Sequence, residues 1–296
     1  MSQGTSRFER SSIALDEVDL QPPLDKIVRS GLARLRVSQY YFDEPLFDEY
    51  EATTVRATWD FPAAEQVVGD GHSVLDLGCG DGRLLLHLAG KFTLADSVGV
   101  DISKIAIDRF AARVPAAQRK RLHPRLGDVF DLPADIAERR FDTVAFGDAT
   151  VNFVLEDDRL VELLRTGHDR LRDGSGRMLI AVFADGTPER LAFLDGRTTV
   201  VPFRASDGRT SLIWWAYAFD AERLVLRRSA FVQEGWSDDG AVEGVVCDLR
   251  DRLWTPGSVA PLAESAGLAV ETVVGSAVQD GAAVGMPTAV MVLKRM

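Results

Sequence analysis

From residue 72 the chain alternates between short apolar runs and stretches whose apolar positions recur every three or four residues. HSVLDLG, SVGVDI, FDTVAFGD and GRMLIAVF read as buried strands. RLHPRLGDV reads as a weaker strand, and Pro124, which has no N–H to give to a ladder, predicts an edge position for it. DGRLLLHLAGKF, KIAIDRFAARV and DDRLVELLRTGHDRL read as helices. Ser103 is placed to cap the second, and Leu160, Leu163, Leu164 and Leu171 share one face of the third. Strands alternating with helices at this spacing predict an α/β fold, a parallel sheet covered on both faces.

The pattern changes after residue 184. TTVVPFRA, SLIWWAYAFD, RLVLRRSAFVQEG and VEGVVCDLRDRLW follow one another as strands, with turns at Asp207-Gly208 and Asp220-Ala221. Consecutive strands predict antiparallel pairing. WTPGSVAPLAESAGL then predicts a helix with Thr255 as cap, Pro256 at its first position and Gly267 at its end, and LAVETVVG and PTAVMVLKRM close the chain as strands. Ahead of the alternation, residues 1–24 read as a loose arm and residues 25–36 (DKIVRSGLARLR) as a short helix. QYYFDEPLFDEYE is aromatic and acidic together, which is unusual for a plain linker. The expected organisation is an arm and lid over 1–60, a core over 61–184 and 254–296, and an antiparallel insertion over 185–253.

Composition narrows the partners. The 296 residues carry 34 basic and 45 acidic side chains, a net charge of −11. Such a balance argues against nucleic acid, whose phosphates need a basic face, and favours a cationic ligand. MSQGTSRFERSS lacks an apolar signal core, and no apolar run is long enough for a membrane span, so no membrane partner is expected. The two cysteines, Cys79 and Cys247, show neither a disulfide framework nor metal-ligand spacing, and a cytoplasmic location is expected.

The chemistry concentrates in VLDLGCGDGR, residues 74–83, where a strand ends in glycines at every second position. A dinucleotide fingerprint wants glycine at the first, third and sixth places. Gly78 and Gly80 fill two of them, but Arg83 occupies the sixth and glycine arrives one residue early at Gly82. Asp101 ends the second strand, where a carboxylate can accept the protons of both ribose hydroxyls. Gly127-Asp128-Val129-Phe130 ends the third, and Gly147-Asp148-Ala149-Thr150, with Asn152 just beyond, ends the fourth. Ligands of open parallel sheets lie at these carboxyl ends.

The pattern D-x-G-C-G-x-G, with Asp101 and Asp128 following in order, resembles class I S-adenosylmethionine-dependent methyltransferases over about residues 70–183. The resemblance implies a Rossmann-like, doubly wound, seven-stranded sheet with a C-terminal antiparallel strand and an antiparallel β insertion after the fifth strand. It implies S-adenosyl-L-methionine as cofactor, with S-adenosyl-L-homocysteine as product. The donor would lie against Asp76, Gly78, Cys79, Gly80, Gly82, Asp101, Ile102, Asp128, Val129, Gly147 and Asp148, with Asp128 facing the adenine amine and Val129 beside the ring. Asp148 is also the catalytic candidate, as an orienter of an amine or a counter-charge for the methylated product. No metal is called for.

The strand-rich insertion is similar to that of small-molecule N-methyltransferases of the glycine and aminosugar type, in which antiparallel strands and an aromatic N-terminal segment close over the site. Alternation sends Trp215, Tyr217 and Phe219 to one face and Trp214 to the other. These three, with Tyr40 and Tyr41 as lid residues and Asn152, are the substrate candidates. A plain core between insertion and main sheet is the competing reading. GDATVN lacks the motifs of base-modifying enzymes of this fold, which leaves a small molecule or a peptide as partner. The aromatic segment and the insertion also suggest natural-product tailoring, including amine methylation of ribosomally made peptides of the daptide kind. Oxygen and carbon acceptors, a nicotinamide oxidoreductase and a non-catalytic nucleoside binder of the same fold stay open, as does a homo-oligomer. None of the four histidines falls at a strand's carboxyl end. Arg83 is expected to be an exposed first-turn arginine, with a contact to the donor carboxylate as the alternative.

Overall fold

A computed structural model describes residues 18–30, 33–54, 57–276 and 287–296; most of the expected loose arm lies outside them. Helix α1 (Leu24–Arg29) buries Leu24 and Val28, and strand β1 (Ala33–Val37) follows. The single helix expected over 25–36 is therefore corrected. Leu35 and Val37 alternate with Arg34 and Arg36, and this period of two sends the apolar pair against the cluster holding Phe231 and Val246. The arginines instead pair with Asp239 and Asp43. Helix α2 (Glu44–Thr54) carries the acidic part of the aromatic segment.

The core runs through α3 (Phe61–Val67), β2 (Val74–Leu77), α4 (Arg83–Lys91), β3 (Ser97–Asp101), α5 (Lys104–Arg113), β4 (Leu122–Leu126), α6 (Ala134–Ala137), β5 (Thr143–Phe146), α7 (Asp157–Arg170) and β6 (Arg177–Phe183). After α8 (Thr187–Leu191) come the long strands β7 (Thr198–Arg204), β8 (Thr210–Asp220), β9 (Val225–Trp236) and β10 (Val242–Arg252). The chain closes with α9 (Pro256–Ser265), β11 (Leu268–Ser276) and β12 (Thr288–Arg295).

Two sheets result. The seven-stranded sheet has the order β11-β12-β6-β5-β2-β3-β4, with β4 at the edge. Strands β2 to β6 are parallel, and β12 runs antiparallel to β6. Strand alternation splits its side chains between two layers. Met178, Ile180 and Val182 pack with Leu160, Leu163 and Leu164 of α7 and Val259 of α9. Leu179 and Ala181 point the other way, to Ala63 and Ala64 of α3 and to Leu84, Leu85 and Leu88 of α4. Each fully buried leucine contributes about 1.5–3 kcal/mol of burial, so both faces must stay covered. Ser103 caps α5 by accepting from the Ala106 N–H at 3.2 Å, and at α9 the Thr255 N–H donates to Ser258 Oγ at 2.9 Å.

The second sheet has the order β1-β10-β9-β8-β7, antiparallel except for β1 beside β10. The arm and the insertion thus share one sheet. Its inner face carries Ile213, Trp215 and Tyr217 against Tyr40 and Leu46. Trp214 joins the opposite face with Phe231 and Val246.

Candidate active site

Strand order reverses between β2 and β5, which both lie at the centre of the seven-stranded sheet. Helices leave opposite faces there, so a crevice opens beyond the strand ends. The chain places a cavity of about 520 Å³ at that point, roofed by the inner face of the second sheet. This size lies within the roughly 300–1,000 Å³ usual for small-molecule sites.

One side of the cavity is built by the turn after β2. Gly78 and Gly82 have φ of +74° and +81°. A Cβ on Gly78 would lie 2.3 Å from Thr150 Cγ2, and one on Gly82 would lie 2.1 Å from the Phe110 ring. Both glycines therefore admit neighbouring side chains. Gly82 is not among the residues lining the cavity. Asp76, Gly78, Cys79, Gly80, Asp101, Ile102, Asp128, Val129, Gly147 and Asp148 do line it.

The acids there differ in what the protein offers them. Asp101 accepts from the Gly80 N–H and the Ser103 N–H, each at 2.8 Å. Asp128 accepts from the Phe130 N–H at 2.9 Å. Asp76 is 2% exposed, and its Oδ1 has no partner among the described residues. No backbone amide among the described residues donates to that oxygen. Burial pushes the Asp76 carboxyl up to about 7, with Arg83 pulling the other way. Burial also raises Asp101, against the lowering effect of its backbone donors. An unpartnered buried carboxylate asks for a cation. A diphosphate beside it would be repelled.

Asp148 stands where β5 ends, and Asp148 and Ala149 hold φ of 45° and 59°. Left-handed backbone at non-glycine residues costs about 1–3 kcal/mol each and collects at functional sites. Burial pushes Asp148 up to about 6, opposed by Arg83. Trp59 Nε1–H donates to Asp148 Oδ1 at 3.2 Å, and the Asp148 N–H donates to Asp60 Oδ2 at 3.1 Å. Arg83 is not the exposed arginine expected from its first-turn position. It is 8% exposed, grips Asp60 through Nη1 and Nη2 at 2.8 and 2.6 Å, and donates to the Ala57 carbonyl at 2.6 Å. Burial works against its charge, but Asp60 more than offsets this and its pKa is raised.

The other side of the cavity is aromatic. Tyr40, Tyr41, Asn152, Trp215 and Tyr217 line the cavity, while Phe219, two residues further along the strand, packs beside the inner cluster outside it. The Tyr40 hydroxyl donates to Glu49, and the Tyr41 ring meets Tyr40, Tyr50 and Phe153 edge-on at 4.8, 5.2 and 5.4 Å. Asn152 is 3% exposed and its Oδ1 has no partner among the described residues. Helix α2 is braced to both halves of the site, because Asp48 accepts from Arg109 of α5 at 2.7 Å and from Ser206 Oγ at 2.9 Å.

Sequence reasoning missed Trp59, Asp60, Tyr50, Arg228 and Asp251. Arg228 was legible: it is the only cation in the inward series Leu226, Arg228, Ala230, Val232 of β9. Trp59 and Asp60 lie between periodic elements and carried no such signal.

This glycine turn, with acids on three successive strand ends, lines a crevice at the carboxyl ends of a Rossmann-like parallel sheet. Residues 74–174 match the model of the methyltransferase domain family. An O-methyltransferase of Penicillium expansum, cnsE, is 30% identical over 157 residues, covering 44% of this chain and 51% of the relative. The chain thus spans about half the length of that curated relative. The fold is shared with the CcbJ methyltransferase of Streptomyces caelestis, at 22% identity and a TM-score of 0.63 over 87% of this chain and 98% of the other. It is also shared with the sugar N-methyltransferase KedS8 of Streptoalloteichus, at 20% identity and a TM-score of 0.61 over 85% and 92%.

Proposed function

We propose that the chain is an S-adenosylmethionine-dependent methyltransferase acting on an amine of a small molecule or modified peptide, in natural-product tailoring. The observation that carries this is Asp76. Its Oδ1 is buried without a partner among the described residues at the glycine turn, in the same cavity that the aromatic second sheet closes. The cofactor fits this site: its ammonium suits Asp76, its ribose hydroxyls suit Asp101 and its adenine amine suits Asp128.

When bound, the cofactor supplies a methyl group already activated by a sulfonium. The protein then needs to align the acceptor and exclude water. The Tyr40, Tyr41 and Tyr50 rings close the cavity, and aromatic faces attract cationic acceptors. An alkyl amine, with a pKa near the lysine value of about 10.4, must shed a proton to expose its lone pair. Asp148, ionised above about pH 6, holds the acceptor nitrogen and balances the positive charge that moves onto it. Asn152 Oδ1 offers an acceptor for the remaining N–H of the amine.

The likeness to an O-methyltransferase supports an oxygen acceptor as the second reading. The free, buried Cys79 and Cys247 suit a reducing, cytoplasmic setting. The test is methyl transfer from labelled donor to a panel of amines and phenols. Labelled amine supports the reading, and labelled phenol alone replaces it with the second. No transfer, together with retained donor binding, turns the chain into a non-catalytic binder.

A further inference from the structure

The wall of the cavity opposite the donor turn holds one charged pair that donor binding does not use. Arg228 projects from the inner face of β9, directly across from Tyr217 of β8. Its Nε–H donates to Asp251 Oδ2 at 2.7 Å, and the guanidinium lies 5.3 Å from the Trp215 ring centre. Its neighbours on that face are Leu226, Ala230, Cys247 and Leu249. Both members of the pair line the cavity, and 25% of the Arg228 side chain remains open. A guanidinium has five N–H donors. Asp251 uses one, and no described residue accepts from the two terminal nitrogens.

Buried ion pairs are often replaceable by apolar residues at no loss of stability, so packing alone is a weak reason for this one. The pair lines the same cavity, of about 520 Å³, as Asp101 and Asp148. The Tyr41 hydroxyl lies within electrostatic reach of Arg228 and Asp251 as well as of Asp148 and Asp101. A group reaching Arg228 while its amine meets Asp148 must offer a hydrogen-bond acceptor, and an oxygen with two lone pairs suits the two terminal nitrogens. That oxygen should be neutral. Asp251 already balances the guanidinium, and Asp101 and Asp148 make the shared space hostile to a further negative charge.

We propose that Arg228 is the acceptor-recognition residue, its terminal nitrogens holding a neutral amide carbonyl oxygen of the molecule whose amine is methylated. The acceptor is then an amino amide or a peptide. This rests on the methyltransferase reading given above.

The test is calorimetry on protein saturated with S-adenosylhomocysteine, titrated with alaninamide, alanine and isopropylamine. Alaninamide should bind about tenfold or more tighter than isopropylamine, the scale of a charged hydrogen bond. Alanine should gain no such advantage. In the double variant Arg228→Met/Asp251→Leu, which leaves no orphaned charge, the amide advantage should vanish while affinity for S-adenosylhomocysteine is unchanged. Arg228→Gln provides a second variant that retains a donor but loses the fork, and it should lose most of the advantage. Comparing wild type with variants cancels differences in amine basicity among the probes. Equal binding of alaninamide and isopropylamine, binding of no probe, an advantage that survives in the variants, or a preference for alanine overturns the proposal. Failure of the wild type to bind S-adenosylhomocysteine overturns the methyltransferase reading instead.

Discussion

Arg83 and Asp60 form a two-pronged ion pair, at 2.8 and 2.6 Å, inside the wall of the cavity. Asp60 in turn accepts from the Asp148 N–H at 3.1 Å. One buried pair thus ties helix α4 to the segment before α3 and holds the loop that carries Asp148.

Asp60→Ala should destabilise the protein by about 3–5 kcal/mol, because it strands a buried guanidinium. Denaturant unfolding measures this. The same change removes a charge that raises the Asp148 pKa and leaves Arg83, which lowers it, unopposed. The acidic limb of the methyl-transfer pH profile should therefore move below about 6. An unmoved limb would mean that Asp148 is not the group being titrated.

Asp76 makes a prediction about stability and pH. Its folded pKa, about 7, lies above the unfolded value of about 3.9. The folded state therefore binds the extra proton between these values, and stability falls as pH rises from about 4 to 7. Asp76→Asn should remove that decline and stabilise the ligand-free protein above pH 7 by up to ~4 kcal/mol. It should also weaken S-adenosylmethionine binding about tenfold or more, through loss of a charged partner. Melting temperature against pH, with and without donor, shows both effects.

Gly82→Ala should be strongly destabilising, by more than the ~1 kcal/mol typical of a single substitution. The new methyl would overlap the Phe110 ring, at a backbone φ of +81°. Thermal unfolding checks it.

Much of this fold was legible because periodicity is a local property. Met178, Ile180 and Val182 alternate with Leu179 and Ala181 in sequence as they do across the sheet. Asp101 and Asp128 were legible because strand ends are punctuated by acids. Residues 33–37 misled because leucine and arginine are good helix formers, yet tertiary pairing with β10 decided their state. Arg83 misled because its partner, Asp60, lies outside any periodic element and is brought up only by the folded chain. Phe219 shares the face of Trp215 and Tyr217, but position along a strand, which alternation does not encode, takes it past the cavity.

The most direct measurement is calorimetric titration of S-adenosylhomocysteine into the wild type and Asp101→Ala. Saturable one-site binding in the wild type, weakened about tenfold or more by loss of a carboxylate that bonds ribose, is the expected result. No binding at millimolar ligand, or equal affinity in the two proteins, would contradict a nucleoside donor held at the ends of β2 and β3.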